Sequence, residues 1–178
     1  MIDNFKPNRF LNRFTQKTIV LILLISCIAS VQQLQAQEVR LFGGVLALGE
    51  VAGGFTTIGA GIESPISRKF TLNFDISAGF GNVGSTFELK PSVLFYFRSD
   101  HKGFFIGPAL KYITLTEKAN KNDYTGTIYA MGITVGVRTT FKNNLDFFTA
   151  VNPHAAIGGE NESGTAGIGF QVGFAYRL

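Results

Sequence analysis

The sequence predicts an all-β protein, an eight-stranded antiparallel up-and-down transmembrane β-barrel. Its most regular segment, residues 70–80, reads F-T-L-N-F-D-I-S-A-G-F and alternates apolar with polar residues throughout, which is the period of a β-strand. Strands of soluble sheets average about five or six residues, whereas a tilted strand that crosses a bilayer needs about nine to eleven. Residues 37–178 form a domain-sized piece that can supply eight such strands.

The N-terminal segment has the features of a cleaved secretory signal peptide. Four basic residues precede the apolar run 18–31, namely Lys6, Arg9, Arg13 and Lys17. A polar stretch follows, and cleavage is expected after Ala36. The predicted domains are therefore a signal peptide at 1–36 and an outer-membrane β-barrel domain at 37–178.

A lipoprotein leader is the alternative. The segment Leu24-Ile25-Ser26-Cys27 resembles a lipobox, in which Cys27, the one cysteine of the sequence, would carry the lipid. The apolar residues that continue past Cys27 fit one unbroken hydrophobic region better. In either case the barrel domain contains no cysteine, so its stability cannot depend on disulfides.

Charge and hydropathy restrict the function classes. The formal net charge is +4, but the leader holds four of the 16 basic residues and one of the 12 acidic ones, which leaves a nearly neutral barrel domain. This balance argues against a nucleic acid partner. After the leader no apolar run reaches about eighteen residues, so no transmembrane helix is expected there.

Eight alternating runs separated by turn signals predict the strands. They span about 39–48, 55–62, 70–80, 86–97, 104–115, 127–141, 145–157 and 167–178. The facing of the first is ambiguous, since its apolar residues fall on both sides. Phe148 is an inward aromatic residue that interrupts the seventh, and Pro91 and Pro108 are expected to weaken the ladder between the fourth and fifth.

The even strand count assigns the connections to two sides. With both termini in the periplasm, the turns at 63–69, 98–102 and 142–144 are expected on the periplasmic side. The other connections, at about 48–54, 81–85, 116–126 and 158–165, would then face outside. The third of these is polar and the longest, while the others are short and Gly-rich, which leaves little surface for an elaborate receptor.

Charged residues on the polar faces of the strands predict a network inside the lumen. They are Asp75, Glu88, Lys90, Lys111, Arg138, Asp146 and Arg177. An eight-stranded lumen is only just wide enough for side chains, so buried charges there should pair and form a plug. The alternative is a gated ion path lined by both signs. Within the plug, Lys90 and Lys111 are expected to meet Glu88 and Asp75.

Candidate catalytic and metal sites are weak. His154, in Asn152-Pro153-His154-Ala155-Ala156, invites comparison with the eight-stranded lipid A deacylases, whose motif resembles His-x-Ser. Ala156 stands at the nucleophile position, so acyl transfer fails for lack of a hydroxyl. His101 lies far from any other histidine and makes a poor metal ligand. No catalytic residue, metal site or cofactor is therefore expected.

The C-terminal segment 171–178, Q-V-G-F-A-Y-R-L, resembles the β-signal of outer-membrane proteins. Its signal positions are Gln171, Gly173, Tyr176 and Leu178. Members of that class commonly end in an aromatic residue, from which Leu178 departs. With the leader and the eight runs, the chain resembles the small OmpA/OmpX-like outer-membrane β-barrels of Gram-negative bacteria. The resemblance implies recognition of the last strand by the barrel-assembly machinery and no enzymatic activity.

Three functions remain open at this point. The first is a monomeric, non-catalytic integral protein of the cell outer membrane, surrounded by phospholipid and lipopolysaccharide, with a plugged polar lumen and a structural, adhesion or interaction role. The second is a small channel or transporter. The third is a soluble lipocalin-like ligand-binding barrel, which would need a charged outer surface. The polar faces of the third and eighth strands carry only Asp75, Gln171 and Arg177 besides small or uncharged residues, which favours the membrane.

Overall fold

The computed structural model describes residues 38–49, 54–117, 124–159 and 166–178, and they form a closed β-barrel. The eight strands are β1 (Glu38–Leu48), β2 (Gly54–Pro65), β3 (Phe70–Gly81), β4 (Gly84–Tyr96), β5 (Gly103–Glu117), β6 (Tyr124–Lys142), β7 (Leu145–Gly159) and β8 (Ala166–Arg177). Each strand pairs antiparallel with the next, and β8 pairs with β1. The predicted architecture is confirmed. The predicted signal peptide at 1–36, with Cys27, lies outside the described residues.

Among these residues no helix has the length and apolar character needed to span a membrane.

The pairing register sets the tilt and width of the barrel. Followed through paired residues around all eight strands, a line that leaves β1 at Glu38 returns to it at Leu48, ten residues further along. With about 3.3 Å per residue and about 4.8 Å between strands, this stagger requires a tilt of about 41° and a radius of about 8 Å. Such a lumen is filled by its own side chains.

The outer surface is apolar and the charged side chains of the strands lie in the interior, as the alternation predicted. Phe80 is 64% exposed and Ile58 is 67% exposed, whereas Asp75, Lys90 and Arg138 are at most 3% exposed. A water-soluble barrel would have the opposite arrangement. The apolar outer face therefore matches a lipid environment.

Strand β1 faces both ways with apolar residues, and the structure resolves the ambiguity. Leu41 and Val45 point outward, while Phe42 and Leu46 are buried in the lumen. Phe42 fits because Gly59 and Gly173 lie against it: a Cβ at Gly59 would collide with its ring, and a Cβ at Gly173 with the Cβ and Cα of Phe42. Small residues on neighbouring strands thus make room for a large one inside a narrow barrel.

Aromatic side chains form two bands on the outer surface. The band near the end that carries Glu38 and Arg177, here called the terminal end, comprises Phe70, Phe95, Phe97, Phe104, Phe141, Phe147, Phe174 and Tyr176. The band near the opposite end, the distal end, comprises Phe80, Phe87, Tyr112 and Tyr129. From the register and tilt the bands lie about 23 Å apart, close to the apolar band of transmembrane barrels.

The expected turn at 63–69 is wrong in its first part. β2 continues to Pro65, which still pairs with Thr71, so that Glu63 is a strand residue with its side chain in the lumen. A proline at the last position of a strand removes one donor at the edge of the ladder without breaking the rest. The turn occupies only 66–69, where the backbone N–H groups of Ile66 and Ser67 both donate to the carbonyl of Phe70.

Two prolines interrupt the ladder between β4 and β5, as expected from the sequence. Paired residues occur at Leu89–Tyr112, Ser92–Ala109 and Phe95–Ile106, with gaps at Pro91 and Pro108. A proline has no N–H to donate to the neighbouring strand. This seam is therefore held by fewer backbone hydrogen bonds than the uninterrupted pairing of β3 with β4.

The apolar outer face predicts a depth-dependent cost for added charge. Phe74 and Val172 lie midway between the two aromatic bands, so Phe74→Arg or Val172→Arg should lower the free energy of unfolding in lipid by about 2 to 4 kcal/mol. The control Phe141→Arg, at the terminal-end band, should cost at most about 1 kcal/mol. Urea titration of the protein reconstituted in vesicles measures both, and equal costs at the two depths would contradict a bilayer around this surface.

Candidate functional site: the lumen of the barrel

The lumen holds a balanced set of charges. The five acidic residues are Glu38, Glu63, Asp75, Glu88 and Asp146, and the five basic ones are Arg40, Lys90, Lys111, Arg138 and Arg177. All are buried except Arg177, whose side chain is 42% exposed at the terminal end. Alternation along the strands directs these side chains inward, and the tilt of the barrel stacks them in layers along its axis.

Arg138 is the centre of the layer at the terminal end. Its guanidinium contacts the carboxylates of Glu38, of Asp146 at 3.0 Å and of Glu63 at 3.4 Å. The other carboxylate oxygen of Glu38 lies 3.1 Å from Nε of Arg177. Because a planar guanidinium offers five donors in a fixed fork, one arginine can satisfy several buried carboxylates.

Arg40 links this layer to the next one. Its Nη1 donates to the side-chain oxygen of Asn73 at 2.7 Å and lies 3.5 Å from the Glu63 carboxylate. Its guanidinium carbon lies 4.0 Å from the ring centre of Phe148. The inward aromatic residue that interrupts the pattern of β7 thus provides a cation–π surface for a buried arginine. Tyr96 closes the layer by donating from its hydroxyl to Glu63 at 2.7 Å.

Asp75 and Lys90 form the middle layer. The ammonium of Lys90 lies 3.1 Å from the Asp75 carboxylate, and Arg40 approaches the same carboxylate at 3.9 Å. Lys90 also donates to the side-chain oxygens of Gln171 at 2.7 Å and Asn152 at 3.2 Å. Lys90 thus combines one ion pair with two side-chain hydrogen bonds. The Asp75 carboxylate is held by charge, since neither of its oxygens has a hydrogen-bond partner among the described residues.

Lys111 and Glu88 form the layer nearest the distal end. Their charged atoms are 3.4 Å apart, and the pair borders a cavity of about 10 Å³, room for about one water molecule. His154 is buried near this pair. Its Nδ1 lies 3.1 Å from the carbonyl oxygen of Asn152, and its Nε2 has no hydrogen-bond partner among the described residues.

An apolar cluster fills the lumen beyond Lys111, toward the distal end. It consists of Leu46, Leu48, Phe55, Ile113 and Leu115, with Val83 and Ile128 packed against it. All five clustered residues are at most 8% exposed. The described lumen thus has an apolar cap at the distal end, while its charges lie toward the terminal end beside two smaller apolar clusters. These consist of Leu94, Tyr96, Phe105 and Ala150, and of Phe42, Phe148 and Ala175.

The structure buries six of the seven sequence-predicted lumen residues inside the barrel and places the seventh, Arg177, half-buried at its terminal end. It pairs Lys90 with Asp75 and Lys111 with Glu88. Three further charges, Glu38, Arg40 and Glu63, escaped the sequence analysis. A signal exists for two of them, because Glu38 and Arg40 are two residues apart at the start of β1 and therefore lie on the same face of that strand. Extending the alternation to the start of β1 would have found both.

The residues of the predicted C-terminal signal divide between the two faces of β8. Gln171 is buried and accepts a hydrogen bond from Lys90, and Gly173 lies inward against Phe42. Tyr176 and Leu178 point outward and are 50% and 72% exposed. The inward half of the signal therefore already has a structural role in the finished barrel, whereas Tyr176 and Leu178 are free of lumen contacts.

The lumen offers little for chemistry on a substrate. His154 faces the lumen and Ala156 is half-buried, so no hydroxyl stands at the position where a deacylase-like motif would need one. In the described ranges no three His, Cys, Asp or Glu residues are grouped to hold a metal ion. The arrangement neutralises its own charges, because each buried ionic side chain has a counterion, and this is the condition for burying ions.

Removing one partner of a buried ion pair should destabilise the barrel more than replacing both partners with apolar residues. Glu88→Ala leaves the Lys111 ammonium buried without its carboxylate, which we expect to lower the free energy of unfolding by about 3 to 5 kcal/mol. The double variant Glu88→Ala/Lys111→Met replaces both charges with apolar groups and should regain much of that loss. Urea titrations of the two single variants and the double variant give the coupling, and additive losses would show that the pair contributes nothing.

Three solved structures of bacterial surface or outer-membrane proteins are similar to this chain. The N-terminal β-barrel domain of Pseudomonas aeruginosa OprF is 16% identical, with a TM-score of 0.58 over 79% of this chain and 97% of that one. Neisserial surface protein A is 9% identical, with a TM-score of 0.64 over 80% and 96%. The outer membrane protein OprG from P. aeruginosa is 9% identical, with a TM-score of 0.52 over 82% and 97%. At such identities the likeness shows the fold.

Sequence comparison adds the family. No curated protein matches the chain. The family model described as protein of unknown function (DUF3575) matches residues 19–152, which is more than half of the sequence. The chain therefore belongs to the DUF3575 family, and it has the OmpA/OmpX-like barrel fold.

Proposed function

We propose that this chain is an integral outer-membrane protein with a closed lumen and a non-catalytic role in structure, adhesion or interaction. The observation that carries the proposal is the lumen itself. Five acidic and five basic side chains are matched inside it, and an apolar cluster lies above them. A water-filled pore needs charges that stay hydrated, whereas these charges are held by one another.

The outer surface supports the membrane location. Exposed apolar side chains cover the region between two aromatic bands, which in transmembrane barrels lie at the two membrane interfaces. We assign the terminal end to the periplasm, in line with the short turns at 66–69 and 143–144. The partners in this proposal are membrane phospholipid, lipopolysaccharide and, during insertion, the barrel-assembly machinery, with the mature protein a monomer.

A closed lumen predicts an absence of conductance. The protein isolated from membranes and reconstituted in a planar bilayer should give no discrete current steps, because an ion would have to pass both the paired charges and the apolar cap. Discrete openings that persist in independent preparations would instead favour the channel function. An unrelated porin reconstituted by the same procedure provides the positive control.

Reagent access tests the same closure in a second way. Because the barrel domain has no cysteine of its own, Ser92→Cys places a single thiol at a lumen position that is 4% exposed. Ser67→Cys, in the exposed turn 66–69, is the matched control. A water-soluble thiol reagent should modify the control at least tenfold faster, and equal rates would rule out the plug.

The C-terminal residues predict an effect on assembly that is separate from stability. Tyr176→Ala removes an outward signal residue, so we expect less heat-modifiable protein in the outer-membrane fraction but unchanged refolding in detergent. Tyr129→Ala is the control, since Tyr129 is an outward tyrosine of equal exposure on β6. A normal outer-membrane yield of the Tyr176 variant would count against the β-signal. Fractionation of the protein without substitutions tests the location itself, and its recovery as a soluble species would overturn the proposed membrane location.

A further inference from the structure

The turns at the terminal end carry a concentration of positive charge. Their basic residues are Arg68, Lys69, Arg98 and Lys102, and Lys142 ends β6 beside the turn 143–144. One acidic residue, Asp100, accompanies them and contacts Arg98 at 2.9 Å. The connections at the distal end have the opposite balance in sequence, with four acidic residues against Lys118 and Lys121 in the segments 49–53, 82–83, 118–123 and 160–165.

Two of the basic turns form one platform. The ring Nε2 of His101, in the turn 97–102, lies 3.0 Å from the carbonyl oxygen of Ser67 in the turn 66–69. The backbone N–H of Tyr96 donates to the carbonyl of Lys69 at 2.7 Å. These bonds hold Arg68, Lys69, Arg98 and Lys102 on adjacent, mutually supported turns. The positive charges are thereby gathered at one side of the rim.

A continuous aromatic surface lies directly next to this platform. Successive ring centres are 5.2 Å apart for Phe70 and Phe95, 5.3 Å for Phe95 and Phe97, and 6.4 Å for Phe97 and Phe104. The ammonium of Lys69 lies 5.8 Å from the centre of the Phe95 ring. Aromatic residues of a transmembrane barrel mark the interface, so the adjoining cations lie at the depth of lipid headgroups.

We propose that this platform and the four phenylalanines bind an anionic glycerophospholipid, with its phosphate on the basic turns and its acyl chains along the aromatic surface. The proposal rests on the membrane location proposed above. A soluble acidic partner would use the positive charge alone, whereas a lipid uses both the charge and the neighbouring apolar surface. Each basic side chain near an anionic lipid surface strengthens binding by up to about fivefold.

Lipid selectivity measures this site directly. The protein isolated from membranes and reconstituted in phosphatidylcholine vesicles should immobilise spin-labelled phosphatidylglycerol in preference to spin-labelled phosphatidylcholine. Lys69→Gln/Lys102→Gln should reduce the preference by up to about fivefold per cation. Lys69→Arg/Lys102→Arg should retain it. The matched control is Lys118→Gln/Lys121→Gln, which removes the same charge from the β5–β6 connection and should have no effect.

The possible outcomes separate this inference from the proposed function. Heat-modifiable migration in each sample reports whether the barrel has inserted. If the barrel inserts but shows no preference for phosphatidylglycerol, the lipid site alone is overturned. The same holds if the test and control variants lose the preference equally. Displacement of the labelled lipid by soluble polyglutamate would overturn it in favour of a soluble acidic partner. Failure to enter vesicles at all overturns both proposals.

Discussion

The width of the barrel constrains everything inside it. Eight strands with a stagger of ten residues enclose a cylinder of about 8 Å radius, and each strand sends every second side chain into that space. The inward side chains must therefore fill the interior to protein density, while the other side chains of the same strands present an apolar face to lipid. The outward positions take large apolar groups, whereas the inward positions combine glycine and small polar residues with paired charged side chains and a limited number of large apolar ones such as Phe42, Phe55 and Phe148.

The polar interior then has to neutralise itself. Taking ions out of water is costly unless each finds a counterion and its remaining hydrogen-bond partners. Arg138 and Lys90 achieve this in different ways: the arginine is shared among three carboxylates, while the lysine uses one carboxylate and two side-chain amides. Apolar residues complete the filling at the distal end, where no further pairs occur in the described lumen.

Much of the fold could be predicted from the alternation of apolar and polar residues in the sequence. Strands β3 and β8 could be assigned residue by residue, because one face of each is apolar from end to end. Strand β1 could not, since Phe42 is an inward apolar residue admitted by Gly59 and Gly173, and those glycines lie on other strands. Glu63 was misplaced because Pro65 suggested a turn. The contact of Arg138 with Glu38 joins residues 100 apart in sequence and depends on the closure of the barrel, which alternation does not specify.

The proline seam between β4 and β5 has a consequence for motion. Pro91 and Pro108 remove rungs from this one ladder, while the ion pair of Glu88 on β4 with Lys111 on β5 crosses the same seam from the inside. A charge contact in the lumen thus compensates for backbone bonds missing from the wall. We expect local opening at this seam, and also along the pairing of β6 with β7, which lacks rungs beside Pro153 and has two register shifts. Amide protons beside these two ladders should therefore exchange faster than those of the uninterrupted pairing of β3 with β4.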